Sequence, residues 1–544
     1  MNKKSSGGFV RQAAILAGAS LFVRMLGFFY RIPLTILIGD EGNAFYSSAY
    51  QIYAFALTLT SVFMIATISR LTSERIAQGQ YQNAHRLFKT AMGFSIILGT
   101  VGSLLLFFGA IPVINFFSDD GPFALFFSLP EGSVYAIRAV APAVFIVSML
   151  TVFRGYFQGM NTAFPTAISQ VVEQVFNVAF SLWLAFLFFD SANPHSVRYA
   201  AAGATAGTAI AALSALAVVA FIYLLVSKSL KRRADEDTTD FKEKPITQLS
   251  TIIRTAYPMI IGLSIISISG ILDIGMANSR IMASGAFMDD EVNILIGQFT
   301  GKFVLFTTLP VSISMALSSA VIPEITASHV TLDEDAVREK TNLALRLSMM
   351  ISIPAAVGIS VLADPIIAML IPLHPEGGWL LRYGGVSIVF MALVHVITGV
   401  LQGCGHIKLP ALALFIGVVI KIILNYYLMA IPSINILGAV ISTIVCFFVA
   451  SIINLVFLRR FTGIFPDFKA TFLKPLSASL GMGFVCFIVY SLLSIISPNA
   501  IATLGAIVFG FLSYVLLMVL LRGFGERELN AIPIPYKIRR WLNP

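Results

Sequence analysis

Long apolar runs alternate with short polar interruptions along the whole chain, and each run has the length of a membrane crossing. About 30 Å of hydrocarbon requires roughly 20 helical residues. Fourteen segments meet that length: 11–38, 43–68, 88–117, 134–153, 164–189, 200–226, 252–277, 292–319, 342–371, 380–401, 409–430, 436–458, 475–496 and 501–521. The pattern predicts an all-α integral membrane protein of fourteen transmembrane helices. An even number of crossings puts both termini on one side.

Composition sharpens this picture. Of 544 residues, 57% are hydrophobic and 12% charged, with a mean hydropathy of +0.88; soluble domains carry roughly 25% charged residues. The net charge of +9 resembles a nucleic-acid signal until the cations are placed. With the termini on the cytoplasmic side, 28 of the 36 Lys and Arg fall on that side, four outside (Arg138, Arg198, Arg280, Arg382) and four within spans (Arg24, Arg31, Lys302, Lys421). This is the positive-inside bias. It predicts a multi-pass protein with its N- and C-termini in the cytoplasm and no nucleic-acid partner. Lys3, Lys4 and Arg11 precede the first run as in a signal peptide, but the run holds two arginines and lacks an Ala-x-Ala site, so it reads as a retained span. Cys404, Cys446 and Cys486 lack metal or disulfide spacing.

The chain repeats itself. Ala110-Ile-Pro-Val-Ile recurs as Ala363-Asp-Pro-Ile-Ile, offset by 253; Gly155-x-x-Gln158-Gly159 recurs as Gly399-x-x-Gln402-Gly403, offset by 244; Arg70-Leu-Thr72 is echoed by Glu324-Ile-Thr326, offset by 254. The repeat predicts two pseudo-symmetric six-helix lobes, residues 1–226 and 252–460, joined by a cytoplasmic linker, 227–251. Residues 461–544 add a C-terminal helix pair and a basic tail. Parallel halves of this kind are a transporter plan in which cargo binds between them.

Charge inside a span points to function, because it costs several kcal/mol to insert. Arg24 and Arg31 lie two helical turns apart on a stripe with Ser20 and Gly27. Gln170, Glu173, Gln174 and Asn177 share one face of the fifth span, either as interhelical hydrogen-bond glue or as a cavity lining with Glu173 as counter-ion or coupling carboxylate. Lys421 and Asn425 share a face of the eleventh span, Lys302 lies in the eighth and Asp273 in the seventh. Asp273 reads as the structural partner of Lys302 or of an arginine. In the second span Asn43, Ser47 and Tyr50 share a face, with Tyr46 and Tyr53 beside it, as interfacial anchors or sugar-stacking rings. Four embedded cations against two embedded acids, Glu173 and Asp273, leave an excess that a bound anion would compensate. Pro33 is expected to bend the first helix.

Gly297-Gln-Phe-Thr-Gly301-Lys302 is one residue short of a Walker A loop and lies in an apolar run. Neither a Gly-x-Ser-x-Gly elbow nor a His-Glu-x-x-His pair occurs. The expectation is a carrier with no catalytic residue, metal site or cofactor, driven by an ion gradient (Na⁺ or H⁺) or by the membrane potential.

Phe22-Val-Arg24-Met-Leu-Gly27-Phe-Phe-Tyr30-Arg31, Arg154-Gly-Tyr-Phe-Gln158-Gly159 and Pro165-Thr-Ala-Ile-Ser-Gln170-x-x-Glu173 resemble the polysaccharide-transport and lipid II flippase branch of the multidrug/oligosaccharidyl-lipid/polysaccharide (MOP) exporter superfamily, in particular its stage V sporulation protein B-like and MurJ-like members. The resemblance implies a bacterial cell-membrane flippase for lipid-linked peptidoglycan precursor, working by alternating access, with the C-terminal helix pair holding a polyprenyl tail. It implies a diphosphate grip at Arg24 and Arg31, assisted by Lys302 or Lys421, and a cavity lined by Asn43, Gln170, Glu173, Asn177, Asp273 and Asn425. Asn43 stands where the branch carries a second-helix acid. Implied partners are the lipid-linked oligosaccharide, membrane lipids and cell-wall synthesis proteins, with the chain itself a monomer. Alternative cargoes are capsule or exopolysaccharide units, or drugs coupled to cations; a membrane scaffold for wall-synthesis enzymes is the non-transport alternative.

Overall fold

The computed structural model describes residues 3–116, 126–235, 237 and 243–524. The basic tail around Lys537–Trp541 and the outer loop residues 117–125 lie outside these. The described chain is helical throughout, as expected where the surrounding hydrocarbon offers backbone groups no partner. In order the helices are α1 (Lys3–Thr60), α2 (Val62–Ala77), α3 (Tyr81–Phe116), α4 (Ser133–Gly159), α5 (Phe164–Phe188), α6 (Ser196–Asp235), α7 (Pro245–Ala283), α8 (Asp289–Gln298), α9 (Leu305–Val330), α10 (Glu334–Val361), α11 (Ala363–Leu370), α12 (Gly378–Gly384), α13 (Ser387–Gly403), α14 (Lys408–Leu428), α15 (Leu437–Thr462), α16 (Lys474–Ile496) and α17 (Asn499–Leu520). A π-helical turn, Phe299–Val304, joins α8 to α9.

Helix fills most of the described part of each of the fourteen expected intervals. Among the described residues, however, eleven helices are long and apolar enough to cross a membrane, or twelve counting the bent pair α12–α13 as one span. The first two intervals merge into a single run, Gly18–Ala77, and α7 is not among the eleven. Within that run two helices meet at a kink: Gly39, between the first two intervals, has non-helical torsion angles (φ 68°, ψ −172°) that glycine adopts readily. The interruption in α1 therefore falls at Gly39 and not at Pro33.

The chain divides into two compact units, Met1–Gly297 and Gln298–Pro544. In the first, α6 packs on α4 and α5, α1 on α4 and α5, and α7 on α1. Its core is rich in rings, with Phe88 touching Phe153, Tyr156 and Tyr223. Hence α7, which follows the expected linker, lies with the helices that precede it. In the second unit α9 packs on α10 and α13, and α14 on α15. The C-terminal pair α16–α17 is fastened to α10 and α11: Tyr514 donates to the Met350 carbonyl at 2.8 Å and Asn499 to the Pro365 carbonyl at 3.1 Å.

The repeat is visible as packing inside each unit. A Cβ on Gly155 would lie 3.0 Å from the Ile65 carbonyl oxygen, and one on Gly159 would lie 2.7 Å from that of Ser69. In the second unit the corresponding distances are 2.8 Å from Gly399 to Ser318 and 3.1 Å from Gly403 to Ile322. Glycines spaced by four let two helix backbones approach closely. Ile65 and Ser318, like Ser69 and Ile322, are 253 residues apart. Packing therefore puts Thr72 opposite Ile325, one residue away from the Thr72–Thr326 match read in the sequence.

Candidate functional site

The polar stripe of α1 and the polar face of α5 form one interface. Ser20 Oγ donates to Gln170 Oε1 at 3.4 Å, and a Cβ on Gly27 would sit 3.4 Å from Gln174 Nε2. That Nε2 is buried with no hydrogen-bond partner among the described residues. Arg24 is exposed on the same stripe. Lower on the face Asn177 Oδ1 accepts from Ser181 at 3.1 Å and Thr208 at 3.3 Å. Asn177 is thus interhelical glue between α5 and α6.

Arg31 is half-buried. Its Nη2 donates to Ser47 Oγ at 3.4 Å, and its Cζ lies 4.4 Å from the centroid of the Tyr46 ring, within cation–π range. The hydroxyls of Tyr30 and Tyr46 share a 2.6 Å hydrogen bond, which holds the ring in place under the guanidinium. Among the described residues Arg31 faces no carboxylate. Asn43 is fully buried, with Nδ2 donating to the Gly39 carbonyl at 2.9 Å.

Glu173 is committed elsewhere. Arg154 Nη2 donates to Glu173 Oε2 at 2.6 Å while Arg154 Nε donates to Ser169 Oγ at 2.9 Å. The Arg154 side chain is 8% exposed and that of Glu173 29%. Sequence reading missed Arg154 because the fourth apolar run ends at residue 153, whereas α4 continues to Gly159. The signal available was a cation directly before a glycine pair, with an acid across the following turn. A second missed pair is Arg75 with Glu243, 2.7 Å apart; Glu243 N also donates to Asn83 Oδ1 at 3.1 Å. It docks the linker onto α2 and the start of α3.

The other sequence candidates are buried. Asp273 is 7% exposed on α7, near Gly270, where a Cβ would lie 2.5 Å from Gln51 Oε1. In the second unit Lys302 is fully buried in the π-helical turn, its ammonium donating to the Glu376 carbonyl at 2.7 Å. Turns of this type recur at functional sites. Lys421 is 5% exposed on α14, where Asn425 accepts from Ser442 Oγ.

Comparison with known proteins gives a consistent picture. The sequence model described as polysaccharide biosynthesis protein matches residues 9–329, and the model described as MatE matches residues 297–427. The chain is 29% identical over 472 residues to the lipid II flippase MurJ of Bacillus subtilis (strain 168), covering 84% of each chain. It is 26% identical over 537 residues to stage V sporulation protein B of the same organism, covering 97% of this chain and 98% of that one. Among solved structures it resembles lipid II flippase MurJ in an inward closed conformation, with a TM-score of 0.65 at 16% identity, covering 94% of this chain and 99% of that one. An inward-facing MATE family transporter of the MOP superfamily matches with a TM-score of 0.64 at 18% identity, covering 82% and 98%.

Proposed function

The chain belongs to the polysaccharide biosynthesis protein family, in the MOP superfamily of transporters, and on that premise we propose that it flips an undecaprenyl-diphosphate-linked peptidoglycan precursor across the bacterial plasma membrane. The observation that carries this reading is Arg31. It is an embedded cation beside a hydroxyl and a ring, while Glu173, the counter-ion candidate on α5, is bound by Arg154. A diphosphate supplies the missing negative charge, with Arg24 on the same stripe as its second ligand. Lys302 and Lys421 add positive field in the second unit, and Asp273, Asn43 and Asn425 fix helices.

In this reading the chain crosses the membrane fourteen times, with both termini inside and two six-helix lobes alternating access to the cavity. The inside-negative potential supplies about 2.3 kcal/mol per charge per 100 mV. A diphosphate of about two charges gains roughly 4–5 kcal/mol on moving outward, so no nucleotide is needed. A second reading, flipping of a lipid-linked capsule or exopolysaccharide unit, is favoured by the polysaccharide description of the matching family.

Complementation of a strain depleted of its lipid II flippase separates these readings. Wild type is expected to rescue growth, and Arg24→Ala and Arg31→Ala to fail at equal membrane abundance. Failure of a well-expressed wild type favours the polysaccharide reading. Rescue by both arginine variants removes the diphosphate grip.

A further inference from the structure

Below Arg31 the second half of α1 carries three tyrosines in a ladder. The rings of Tyr46 and Tyr50 have centroids 6.0 Å apart and planes 9° from parallel; those of Tyr50 and Tyr53 are 6.0 Å apart and tilted by 58°. Their exposures differ sharply. Tyr46 is 2% exposed and Tyr53 5%, whereas Tyr50 is 45% exposed. Tyr46 is occupied as the seat of Arg31 and Tyr53 is packed in the core with Val140, Ala143 and Val144. Tyr50 alone of the three offers an open ring face.

The setting of that face is polar. The separations of Arg31 from Tyr46 and of Tyr46 from Tyr50 put the guanidinium within about 10 Å of the open ring. Aromatic rings in ligand sites orient apolar faces while a few polar groups fix the charge. In a diphosphate-linked saccharide the phosphate and the first sugar ring are joined through one oxygen, so a cation and a stacking ring within about 10 Å of each other match that junction.

We propose that Tyr50 is a specificity-determining residue that stacks on the first sugar ring of a diphosphate-linked saccharide whose phosphate is held by Arg31. This rests on the diphosphate reading above and adds to it what lies next to the phosphate. It predicts that the protein distinguishes a lipid diphosphate bearing a sugar from a bare one.

The test is equilibrium binding to purified full-length protein of farnesyl diphosphate and of farnesyl diphosphate carrying one N-acetylhexosamine. Wild type is expected to bind the sugar-bearing lipid about tenfold more tightly, equivalent to 1.4 kcal/mol. Tyr50→Phe keeps that preference because the ring is retained. Tyr50→Ala abolishes it and leaves the affinity for farnesyl diphosphate within about twofold of wild type. Tyr50→Leu, which keeps apolar bulk without a flat face, serves in place of the alanine variant if the latter does not fold. A preference that survives in Tyr50→Ala or Tyr50→Leu overturns the proposal. So does a wild type that binds both lipids equally, and in that case the diphosphate reading stands. A wild type that binds neither lipid overturns both.

Discussion

In the first unit α4 lays Gly155 and Gly159 on α2, and in the second α13 lays Gly399 and Gly403 on α9. The backbones meet in the same register, yet the polar groups next to the glycines differ between the two crossings. The second is stitched by hydroxyls: Ser318 donates to the His395 carbonyl at 2.7 Å and Thr326 to the Gly403 carbonyl at 3.1 Å. In the first unit the same stretch of α4 carries Arg154, ion-paired with Glu173 of α5, and the residue equivalent to Arg154 is Thr398. Duplication therefore preserved the close backbone contact, which tolerates no side chain, while the charge belongs to one copy. Beside that copy stands the α1–α5 wall with Arg24 and Arg31, so the asymmetry separates scaffold from site.

Removing one member of the ion pair is the strongest way to break the comparison. Glu173→Ala leaves a buried guanidinium with Ser169 as its remaining side-chain partner, and unpairing a buried charge costs about 3–5 kcal/mol. The partial exposure of Glu173 puts the expected loss at the lower end, about 3 kcal/mol. Arg154→Thr, which imports the residue of the second unit, should cost less. Adding it to Glu173→Ala should restore part of the lost stability, because no buried charge then remains. Thermal unfolding in detergent measures all three. A double variant no more stable than Glu173→Ala would show that the pair is not what joins α4 to α5 here.

Next in size are the crossings themselves. Gly159→Ala and Gly403→Ala each force a Cβ into a packed contact, typically costing about 1–3 kcal/mol. The first is expected to be worse, since its Cβ would meet a carbonyl oxygen at 2.7 Å against 3.1 Å in the second. Equal losses would mean that the two backbones relax alike and that the crossings do not differ in tightness.

Much of this was legible in the sequence, and the failures share a cause. Apolar length located helical stretches among the described residues, because hydrocarbon enforces helix wherever it is crossed, but not where helices break, and eleven or twelve candidate spans stand against fourteen expected. The glycine repeat located the crossings, because only glycine allows that approach. Partners of polar side chains were not legible. The sequence offers Glu173 as hydrogen-bond glue, counter-ion or coupling carboxylate, whereas it pairs with Arg154 across the α4–α5 turn, a contact set by how far α4 runs beyond its apolar part. Lys302 is recognisable as an embedded cation, but its carbonyl partner at Glu376 is 74 residues away. The two polar stripes of α1 and α5 were visible separately, while their meeting at Gly27 and Gln174 depends on which helices pack.

A smaller effect probes the site side of the asymmetry. Tyr46→Phe removes the 2.6 Å hydrogen bond to Tyr30 and keeps the ring under Arg31. Its cost should be about 0.5–1.5 kcal/mol, with complementation retained. Tyr46→Leu removes the ring as well and should weaken complementation in the way of Arg31→Ala. If both variants complement equally, the ring does not position Arg31.

The second crossing carries its own reporter. Cys404 caps α13 directly after Gly403, where Met160 caps α4 after Gly159. It is 5% exposed, and burial pushes its thiol above the ordinary range. The thiolate is the reacting form, so maleimide labelling of Cys404 in a Cys446→Ala, Cys486→Ala background should be slow near neutral pH. The rate should rise with pH as the thiolate fraction grows. Gly403→Ala loosens the contact of α13 with α9 and should speed labelling severalfold, whereas Gly159→Ala, acting on the other crossing, should leave the rate unchanged. Acceleration by both variants would mean that strain passes from one crossing to the other, and the two copies could then no longer be treated as independent packing units.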